Sequence, residues 1–470
     1  MAAYPSSLLT RNTTSFDEYL GTYFSKQSQD LTPLCVFKPA NAKDVAVAVR
    51  LAKQTHCQFA VRSGGHGTGA SNIQDGLVMS FEKMNEITVS ADKSSVTIGP
   101  GNTWAQVYKT LEDKNVVVAG GRYPSVGVGG LIMGGGISFF AATRGWTCNN
   151  VIEYEVVLAN GKIITASKDS HPDLFWALCG AGSVFGVVTS FKLEAFPLAG
   201  GKIWGGLRLS GEDAFPALLQ AVYNWGTDIK TDPDAAMITT FGLIPGGTKI
   251  AVTILTHADA TAHTSTPPAV MKKFLAVPAF QDTTSVRTVE SLITEMSYGD
   301  TDLHRRRRST ATFRLDLDLL TYVQETCYEE YEKLAVTVPS LMGMCVFQVI
   351  SKSQVEISAK KGGNPLGLND KDAPYFLLNT WLTWDDASGD VRVELAARMI
   401  VEKAAAYAKA KKLDVAYRYL NYAGEFQDPV ASYGKENGEK LEKILKKYDE
   451  AGVLKGLRPG IFGMSGAPAL

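Results

Sequence analysis

Three glycine-rich segments lie within the first 190 residues of this 470-residue chain, and they restrict its fold more than any other feature. The first surrounds His66 in the stretch 61–72, the second spans residues 120–136, and the third spans residues 180–188. Glycine accepts positive φ and lets other atoms approach the backbone closely, and successive N–H groups in such loops can form a concave site for phosphate. The three segments therefore indicate one long ligand that the chain contacts from several sides.

The first segment follows a pattern typical of an α/β unit. Asn41 is a predicted N-cap for a helix over residues 44–54, and residues 57–61 form a predicted strand that ends at the glycine loop. Ligands of α/β sheets usually lie at this end of a strand. Further strands are predicted at 77–81, 96–98, 153–158, 163–165 and 190–194, and a further helix at 104–114.

Charge and hydropathy exclude two classes of partner. The formal net charge is −1 and the pI is about 6.6, so no overall positive field would recruit nucleic acid or an anionic membrane. No segment approaches the ~20 apolar residues of a transmembrane helix.

Residues 1–10 lack the basic and apolar regions of a signal peptide. We therefore expect a cytoplasmic protein, secreted only if a leader has been removed.

The six cysteines are sparse, and their spacing includes no C-x-x-C pair and no zinc-ligand pattern, so we expect no metal site. Such usage is typical of a reducing compartment. Cys35 and Cys57 flank the predicted β-α unit. Whether these two residues are bridged stays open, because spacing alone does not fix the Cβ geometry of a disulfide.

The strongest basic cluster is the run 304–308, one histidine followed by four arginines. We expect this run to be a solvated turn before a strand at 311–314, because most charge runs are solvated. An anion-binding site and a localisation signal remain as alternatives.

The glycine segments resemble the motifs of a known family. Residues 61–66 (V-R-S-G-G-H), residues 124–130 with the triplet 134–136, and residues 180–188 are similar to motifs of the berberine-bridge-enzyme-like, FAD-linked oxidoreductases of the vanillyl-alcohol-oxidase group. The similarity is greatest to the fungal and bacterial branch that includes 6-hydroxy-D-nicotine oxidase.

Later segments extend this resemblance towards the C-terminus, so that it covers about residues 30–465. Residues 362–368 resemble a motif of the family's substrate domain, and residues 419–422 (Y-L-N-Y) resemble its Y-x-N-Y segment. Residues 433–437 resemble its closing Y-G-x-N pattern, with one extra residue before Asn437.

The resemblance implies an α+β fold with two main domains. We expect an N-terminal arm over residues 1–29 and a two-subdomain FAD-binding domain of the PCMH type over 30–199. A substrate-binding domain over 200–412 would contain an antiparallel sheet backed by helices. Residues 413–470 would then return to the FAD-binding domain.

The resemblance also implies that His66 is bonded covalently to the 8α-methyl group of FAD. A neutral imidazole is a nucleophile near physiological pH, and prior binding of FAD makes the attack effectively unimolecular. Many relatives carry a second link through a cysteine at the position of Tyr123, and a phenol is not the usual partner there, so we expect a single covalent link. The motif positions imply the following cofactor-binding residues: Arg62, Ser63, Gly64, Gly65, Gly67, Tyr123, Pro124, Ser125, Val126, Gly127, Gly129, Gly130, Gly134, Gly135, Gly182, Ser183, Gly186, Val188, Tyr422 and Asn437.

The implied activity is that of an oxidase of secondary metabolism that removes hydride from a small natural product, such as an alkaloid, phenolic or polyketide-type molecule. Molecular oxygen would reoxidise the flavin and give hydrogen peroxide, and Val128 occupies a position implied to control oxygen access. Two alternatives remain: a dehydrogenase that uses another electron acceptor, and a cyclisation catalyst that uses bound FAD without net redox change. We expect a monomer or a homodimer.

The predicted proton acceptor is Tyr419, with Asn421 orienting the substrate or the flavin. Residues two apart share one face of a strand, so Tyr417, Tyr419 and Asn421 are expected on one face of a strand-like segment. An unperturbed phenol has a pKa of ~10, so Tyr419 would need a nearby cation or hydrogen-bond donors. In the alternative, Tyr419 only packs the FAD-binding domain. The residues predicted to contact substrate from the sheet are Gln348, Asn379 and Trp381.

Overall fold

The structure is a computed structural model that describes residues 7–67, 69–297 and 304–464, so residues 1–6 of the predicted arm lie outside the described part. Its strands are β1 Leu8–Thr10, β2 Cys35–Phe37, β3 Phe59–Arg62, β4 Leu77–Ser80, β5 Ile87–Val89, β6 Ser95–Ile98, β7 Val116–Val118, β8 Val151–Val157, β9 Ile163–Ser167, β10 Val187–Pro197, β11 Lys202–Gly211, β12 Ala235–Ile244, β13 Thr248–His257, β14 Gln281–Asp282, β15 Ser285–Thr288, β16 Arg305–Arg314, β17 Met342–Ile350, β18 Tyr375–Trp384 and β19 Asp414–Val415.

The α-helices are α1 Thr14–Leu20, α2 Lys26–Gln29, α3 Ala42–Thr55, α4 Trp104–Glu112, α5 Val128–Met133, α6 Ala141–Arg144, α7 Pro172–Leu178, α8 Phe215–Asp228, α9 Lys272–Leu275, α10 Val289–Glu295, α11 Leu317–Ala335, α12 Lys352–Lys360, α13 Asp390–Ala410, α14 Lys435–Tyr448 and α15 Val453–Leu457. Among the described residues, no helix is both long enough and apolar enough to span a bilayer.

The first sheet has the order β1-β2-β4-β3, in which β2 and β3 run parallel to β4. The predicted helix is α3, and the Asn41 side chain caps it by accepting hydrogen bonds from the backbone of Lys43 and Asp44. The buried face of α3 includes Val45 and Val49. Strand β3 ends at Arg62, so the first glycine loop leaves the C-terminal end of a parallel strand, as the sequence predicts.

The second sheet is antiparallel, in the order β5-β6-β10-β8-β9, with β7 also pairing with β10. The third sheet is also antiparallel, and its main path is β14-β11-β13-β12-β17-β18-β16-β19. Helices α8, α11 and α13 cover one face of the third sheet, where Phe241, Phe347 and Phe376 pack in a shared core. The predicted α+β class, with an antiparallel sheet backed by helices, is confirmed.

The first two glycine loops contact each other backbone to backbone. A Cβ atom on Gly64 would lie 2.3 Å from the backbone nitrogen of Gly127, and a Cβ atom on Gly127 would lie 2.1 Å from the backbone nitrogen of Gly64. Real Cβ atoms do not approach other atoms this closely, so both positions require glycine. This contact joins the loop that follows β3 to the loop that precedes α5.

The basic run does not form the solvated turn that we expected. Residues 305–308 begin β16, and their side chains alternate between the two faces of the sheet. Arg305 is buried and pairs with Asp390 and Asp30, and Arg307 pairs with Glu425. These carboxylates offset the cost of burying the guanidinium groups, so the run is compatible with an interior strand.

Four of the six cysteines form disulfides in the structure. Cys35 and Cys57 are both free, and the disulfides are Cys148–Cys179 and Cys327–Cys345. Strand β4 lies between β2, which contains Cys35, and β3, which Cys57 precedes. Strands two positions apart are ~10 Å apart, beyond the Cα separation that a disulfide tolerates. The open question of a Cys35–Cys57 bridge is therefore answered against it.

The contact between the glycine loops predicts a difference between two alanine substitutions. We expect Gly127→Ala to lower stability by about 1–3 kcal/mol, the usual cost of overpacking, because its Cβ atom would meet the Gly64 backbone. Gly130→Ala is the matched control, since a Cβ atom there meets nothing within 4 Å. The midpoint of thermal unfolding of each purified protein is the measurement. Equal midpoints for the two variants would contradict the proposed contact.

Candidate active site

A cavity of about 790 Å³ lies between the glycine loops and the face of the third sheet that the helices leave uncovered. The predicted site residues that line it are Ser63, Gly64, Gly65, His66, Gly67, Tyr123, Val126, Gly127, Gly129, Gly130, Gly134, Gly182, Ser183, Gly186, Val188, Gln348, Asn379, Trp381, Tyr419, Asn421 and Tyr422. Residues of all three glycine segments, of the third sheet and of the segment 419–422 thus meet at one cavity.

His66 occupies the wall of this cavity, and its ring is fixed from several sides. Its Nε2 is 2.8 Å from Ser125 Oγ, and the ring of Phe24 stacks on the imidazole with centroids 3.7 Å apart. His66 Nδ1 is buried and has no hydrogen-bond partner among the described residues. Burial, followed by the positive charges of Arg308 and Arg306, holds the pKa of His66 well below its ordinary range. The imidazole is therefore neutral at physiological pH.

Arg62 lies behind the loop rather than in the cavity lining. Its guanidinium donates to the carbonyl oxygen and to the hydroxyl of Thr22 over 2.7 and 2.8 Å, and it lies over the rings of Tyr19 and Tyr23. Arg62 thus ties the N-terminal arm to the glycine loop. Pro124, Ser125 and Gly135 also lie outside the lining.

Val128 and Asn437 have surroundings that differ from their predicted roles. Val128 is fully buried in a hydrophobic core that also contains Ile132 and Phe191, and it does not line the cavity. Asn437 donates from Nδ2 to the carbonyl oxygens of Pro365 and Tyr433 at 3.0 and 3.2 Å. The Asn437 amide therefore connects two segments of the chain. The Val128 side chain is not part of the cavity lining, where a residue that controls oxygen access would be expected.

The segment around Tyr419 is not a strand. Leu420–Tyr422 forms a 3₁₀ turn, so the alternation predicted for Tyr419 and Asn421 is wrong. Tyr419 is buried, and burial raises the pKa of its hydroxyl well above the usual range. Asn421 Nδ2 donates to Tyr419 Oη at 3.1 Å and to the carbonyl oxygen of Leu131 at 3.0 Å. Tyr419 and Asn421 therefore link the turn to helix α5.

The 3₁₀ turn places Tyr422 in a polar cluster at the cavity. Arg122 Nη2 donates to Tyr422 Oη at 3.1 Å, and Gln348 Nε2 donates to the same oxygen at 3.3 Å. Arg122 also donates to Gln348 Oε1. An oxygen that accepts two hydrogen bonds, one of them from a cation, is suited to exchange a proton with a bound molecule.

Sequence reasoning missed several residues of the cavity lining. Arg122 stands in the second glycine segment, directly before Tyr123, and its charge among glycines was an available signal. Arg458 donates to the backbone oxygen of Ser183 at 2.7 Å and to its hydroxyl at 3.1 Å. Burial lowers the pKa of Arg458 to about 10. No sequence pattern connects Arg458 with the third glycine segment.

Comparison with known proteins agrees with this geometry. Residues 33–167 match the model of a family described as FAD binding domain. The FAD-dependent monooxygenase FUP4 of Fusarium proliferatum (strain ET1) is 35% identical over 452 residues, which cover 93% of this chain and 86% of that protein. The part of the chain that the family model covers contains the first two glycine segments.

Two solved structures share the fold across nearly the whole chain. The 6-hydroxy-D-nicotine oxidase of Arthrobacter nicotinovorans superposes with a TM-score of 0.78 at 19% identity and covers 97% of both chains. The glucooligosaccharide oxidase of Acremonium strictum, described with a 6-S-cysteinyl, 8α-N1-histidyl FAD, gives a TM-score of 0.78 at 20% identity and covers 96% of both chains. With the site geometry and the sequence identity to the fungal relative, these findings show that the chain belongs to the berberine-bridge-enzyme-like family of FAD-linked oxidoreductases.

Proposed function

We propose that this protein is an FAD-dependent oxidase of secondary metabolism that carries its flavin on a single covalent bond to His66. One observation carries the proposal: within the described part of the chain, Nδ1 of His66 is buried without a hydrogen-bond partner, at the wall of a cavity whose floor is glycine. A buried polar atom without a partner costs free energy, and a bond from this atom to bound FAD removes that cost.

The state of the imidazole fits this bond. Neutral imidazole has one N–H and one nitrogen lone pair, and the lowered pKa keeps His66 neutral. The contact between Nε2 and Ser125 leaves the lone pair on Nδ1 when Nε2 donates. Tyr123 lines the same cavity at the position where relatives carry a second, cysteine link, and this phenol supports a single attachment.

The glycine loops supply the surface that FAD requires. Gly64, Gly127 and Gly182 line the cavity with backbone alone, so that a flat ring and a pyrophosphate can approach the N–H groups. When bound, FAD supplies the hydride acceptor, and molecular oxygen regenerates it with release of hydrogen peroxide. The residues of the third sheet that face the loops would form the opposite wall around the substrate.

Tyr422 replaces Tyr419 as the proposed proton acceptor. The Tyr422 hydroxyl lies in the cavity with hydrogen bonds from Arg122 and Gln348, which would stabilise negative charge on the oxygen. Tyr419 is buried with a raised pKa and accepts a hydrogen bond from Asn421. In this account Tyr422 takes the proton from an O–H or N–H group of substrate, and Gln348 fixes the orientation of Tyr422.

Reaction with oxygen distinguishes the oxidase from its alternatives without any knowledge of the substrate. We expect photochemically reduced enzyme, mixed with oxygen in a stopped-flow instrument, to reoxidise rapidly and release one hydrogen peroxide per flavin. The flavin absorbance of the same preparation, measured on the denatured protein that still carries its flavin, is the reference for the flavin content. Reoxidation on the scale of minutes would indicate a dehydrogenase, and oxygen consumption without peroxide would also contradict the proposal.

Substitution of Tyr422 and of Tyr419 should affect the rate of flavin reduction by substrate differently. With a substrate identified by a peroxide-release screen of natural products, we expect Tyr422→Phe to slow anaerobic flavin reduction by ~10²–10⁴-fold, the usual contribution of general acid–base catalysis. Tyr419→Phe is the matched control, and we expect its flavin to be reduced within a few-fold of the wild-type rate. A large effect in Tyr419→Phe with none in Tyr422→Phe would return the role to Tyr419.

A further inference from the structure

The N-terminal arm brings the ring of Phe24 to the cavity, between the first glycine loop and the third sheet. Phe24 lines the cavity and is half-buried. Its ring stacks on the imidazole of His66, with centroids 3.7 Å apart and an angle of 20° between the planes. The Arg306 guanidinium lies over the same ring, 3.9 Å from its centroid. Because stacked atoms stay ~3.5 Å apart, these two groups lie on opposite faces of Phe24.

Hydrogen bonds fix this part of the arm to strand β16. Arg306 Nε donates to the carbonyl oxygen of Phe24 at 2.8 Å. The Gln27 side chain accepts a hydrogen bond from the backbone nitrogen of Arg306 and donates one to its carbonyl oxygen, both at 2.9 Å. The backbone nitrogen of Lys26 donates to the carbonyl oxygen of His304 at 2.9 Å. The third sheet therefore sets the position of Phe24.

The same part of the arm is also fixed to the first glycine segment. Arg62 donates to the carbonyl oxygen and the hydroxyl of Thr22, which lies two residues before Phe24. Ser28, four residues after Phe24, donates from Oγ to the carbonyl oxygen of Gly67 at 3.3 Å. The arm is thus attached to the glycine segment on both sides of the aromatic ring.

Contacts on three sides restrict the imidazole of His66. Phe24 covers one face, Nε2 lies 2.8 Å from Ser125 Oγ, and the ring of Tyr123 makes an edge contact with centroids 5.8 Å apart. A quarter turn of the imidazole about its Cβ–Cγ bond would drive its edge into the Phe24 ring. The Nδ1 atom, which has no hydrogen-bond partner among the described residues, is therefore held in one place.

We propose that Phe24 is a positioning residue for flavin attachment: its ring fixes the plane of the His66 imidazole, so that Nδ1 meets the 8α-carbon of bound FAD. This inference rests on the proposed function and adds to it a residue outside the glycine segments. Reacting groups must be held ~3–3.5 Å apart and aligned, and a misplacement of about 1 Å can slow a reaction about 10²-fold. An aliphatic side chain at position 24 would fill the space without fixing the plane.

The attachment step uses atoms that Phe24 holds in place but does not itself change. A bond forms between Nδ1 and the 8α-carbon, and one proton leaves that carbon while another leaves Nε2. The Ser125 hydroxyl is placed to accept the Nε2 proton. The electron pair of the broken C–H bond passes to the flavin, and molecular oxygen, the oxidant of the proposed function, takes the two electrons and two protons as hydrogen peroxide.

The rate of attachment tests the proposal without a known substrate. Apoprotein purified from riboflavin-starved cells is mixed with FAD in air, and the flavin that stays with acid-precipitated protein is measured over time. We expect Phe24→Leu to slow attachment by about 10- to 100-fold, and Phe24→Tyr, which keeps an aromatic plane, to stay within a few-fold of the wild-type rate. Attachment in Phe24→Leu at the wild-type rate would overturn the proposal.

Two further measurements separate positioning from folding and from FAD binding. Phe16→Leu is the matched control, because Phe16 is buried in the same arm beside Tyr19 and Val36 and does not line the cavity. We expect its attachment rate to equal that of the wild type, and equal slowing in Phe16→Leu and Phe24→Leu would refute the role. Total FAD bound before precipitation should not differ between Phe24→Leu and the wild type, and a parallel loss of bound FAD would also refute it.

Failure of this inference is distinguishable from failure of the proposed function. Wild-type protein that keeps no flavin after acid precipitation would refute the covalent link at His66 itself, and the role of Phe24 with it. If the wild type attaches its flavin and Phe24→Leu does so equally fast, only the role of Phe24 is refuted. Where the apoprotein does not stay folded, the fraction of flavin attached in holoenzyme purified after a short induction gives the same comparison among the four proteins.

Discussion

The backbone contact between Gly64 and Gly127 is the constraint on which the rest of the site depends. With Cβ atoms excluded at both positions, the loop after β3 and the loop before α5 meet at contact distance. That approach places Ser125 within hydrogen-bond distance of His66 and orients the imidazole. Because the first glycine loop also anchors Arg62, the N-terminal arm and its Phe24 are fixed against the same histidine. One steric requirement therefore determines the cavity floor and the ring that faces it.

The third sheet supplies the opposite wall through the alternation of its strands. On β17, Cys345 and Phe347 pack into the helix-covered core, whereas Met344, Val346 and Gln348 face the cavity. The same alternation on β16 sends Arg305 and Arg307 to carboxylates and Arg306 and Arg308 to the cavity. This face consequently has arginine side chains at one end and aliphatic side chains at the other.

Local signals in the sequence were sufficient for the glycine loops, for the Asn41 cap and for the position of His66 at the cavity, since each depends on residues close together in the chain. Contacts between distant segments were not readable from such signals. Arg307 is accommodated in the sheet because Glu394 and Glu425 lie beside it, and neither is near it in the sequence. The segment after Tyr419 forms a 3₁₀ helix although its spacing resembles a strand. The cysteine pairing likewise follows from packing, because β4 separates the strands near Cys35 and Cys57.

The most direct test of the account is the location of the flavin on the polypeptide. After acid precipitation, tryptic cleavage at Arg62 and Lys83 releases residues 63–83 with His66, and cleavage at Arg122 and Arg144 releases residues 123–144 with Tyr123. The account predicts that flavin absorbance remains with the precipitated protein and coelutes with peptide 63–83, and that His66→Ala abolishes it. Flavin in the acid supernatant of the wild-type protein, or on peptide 123–144, would contradict the account.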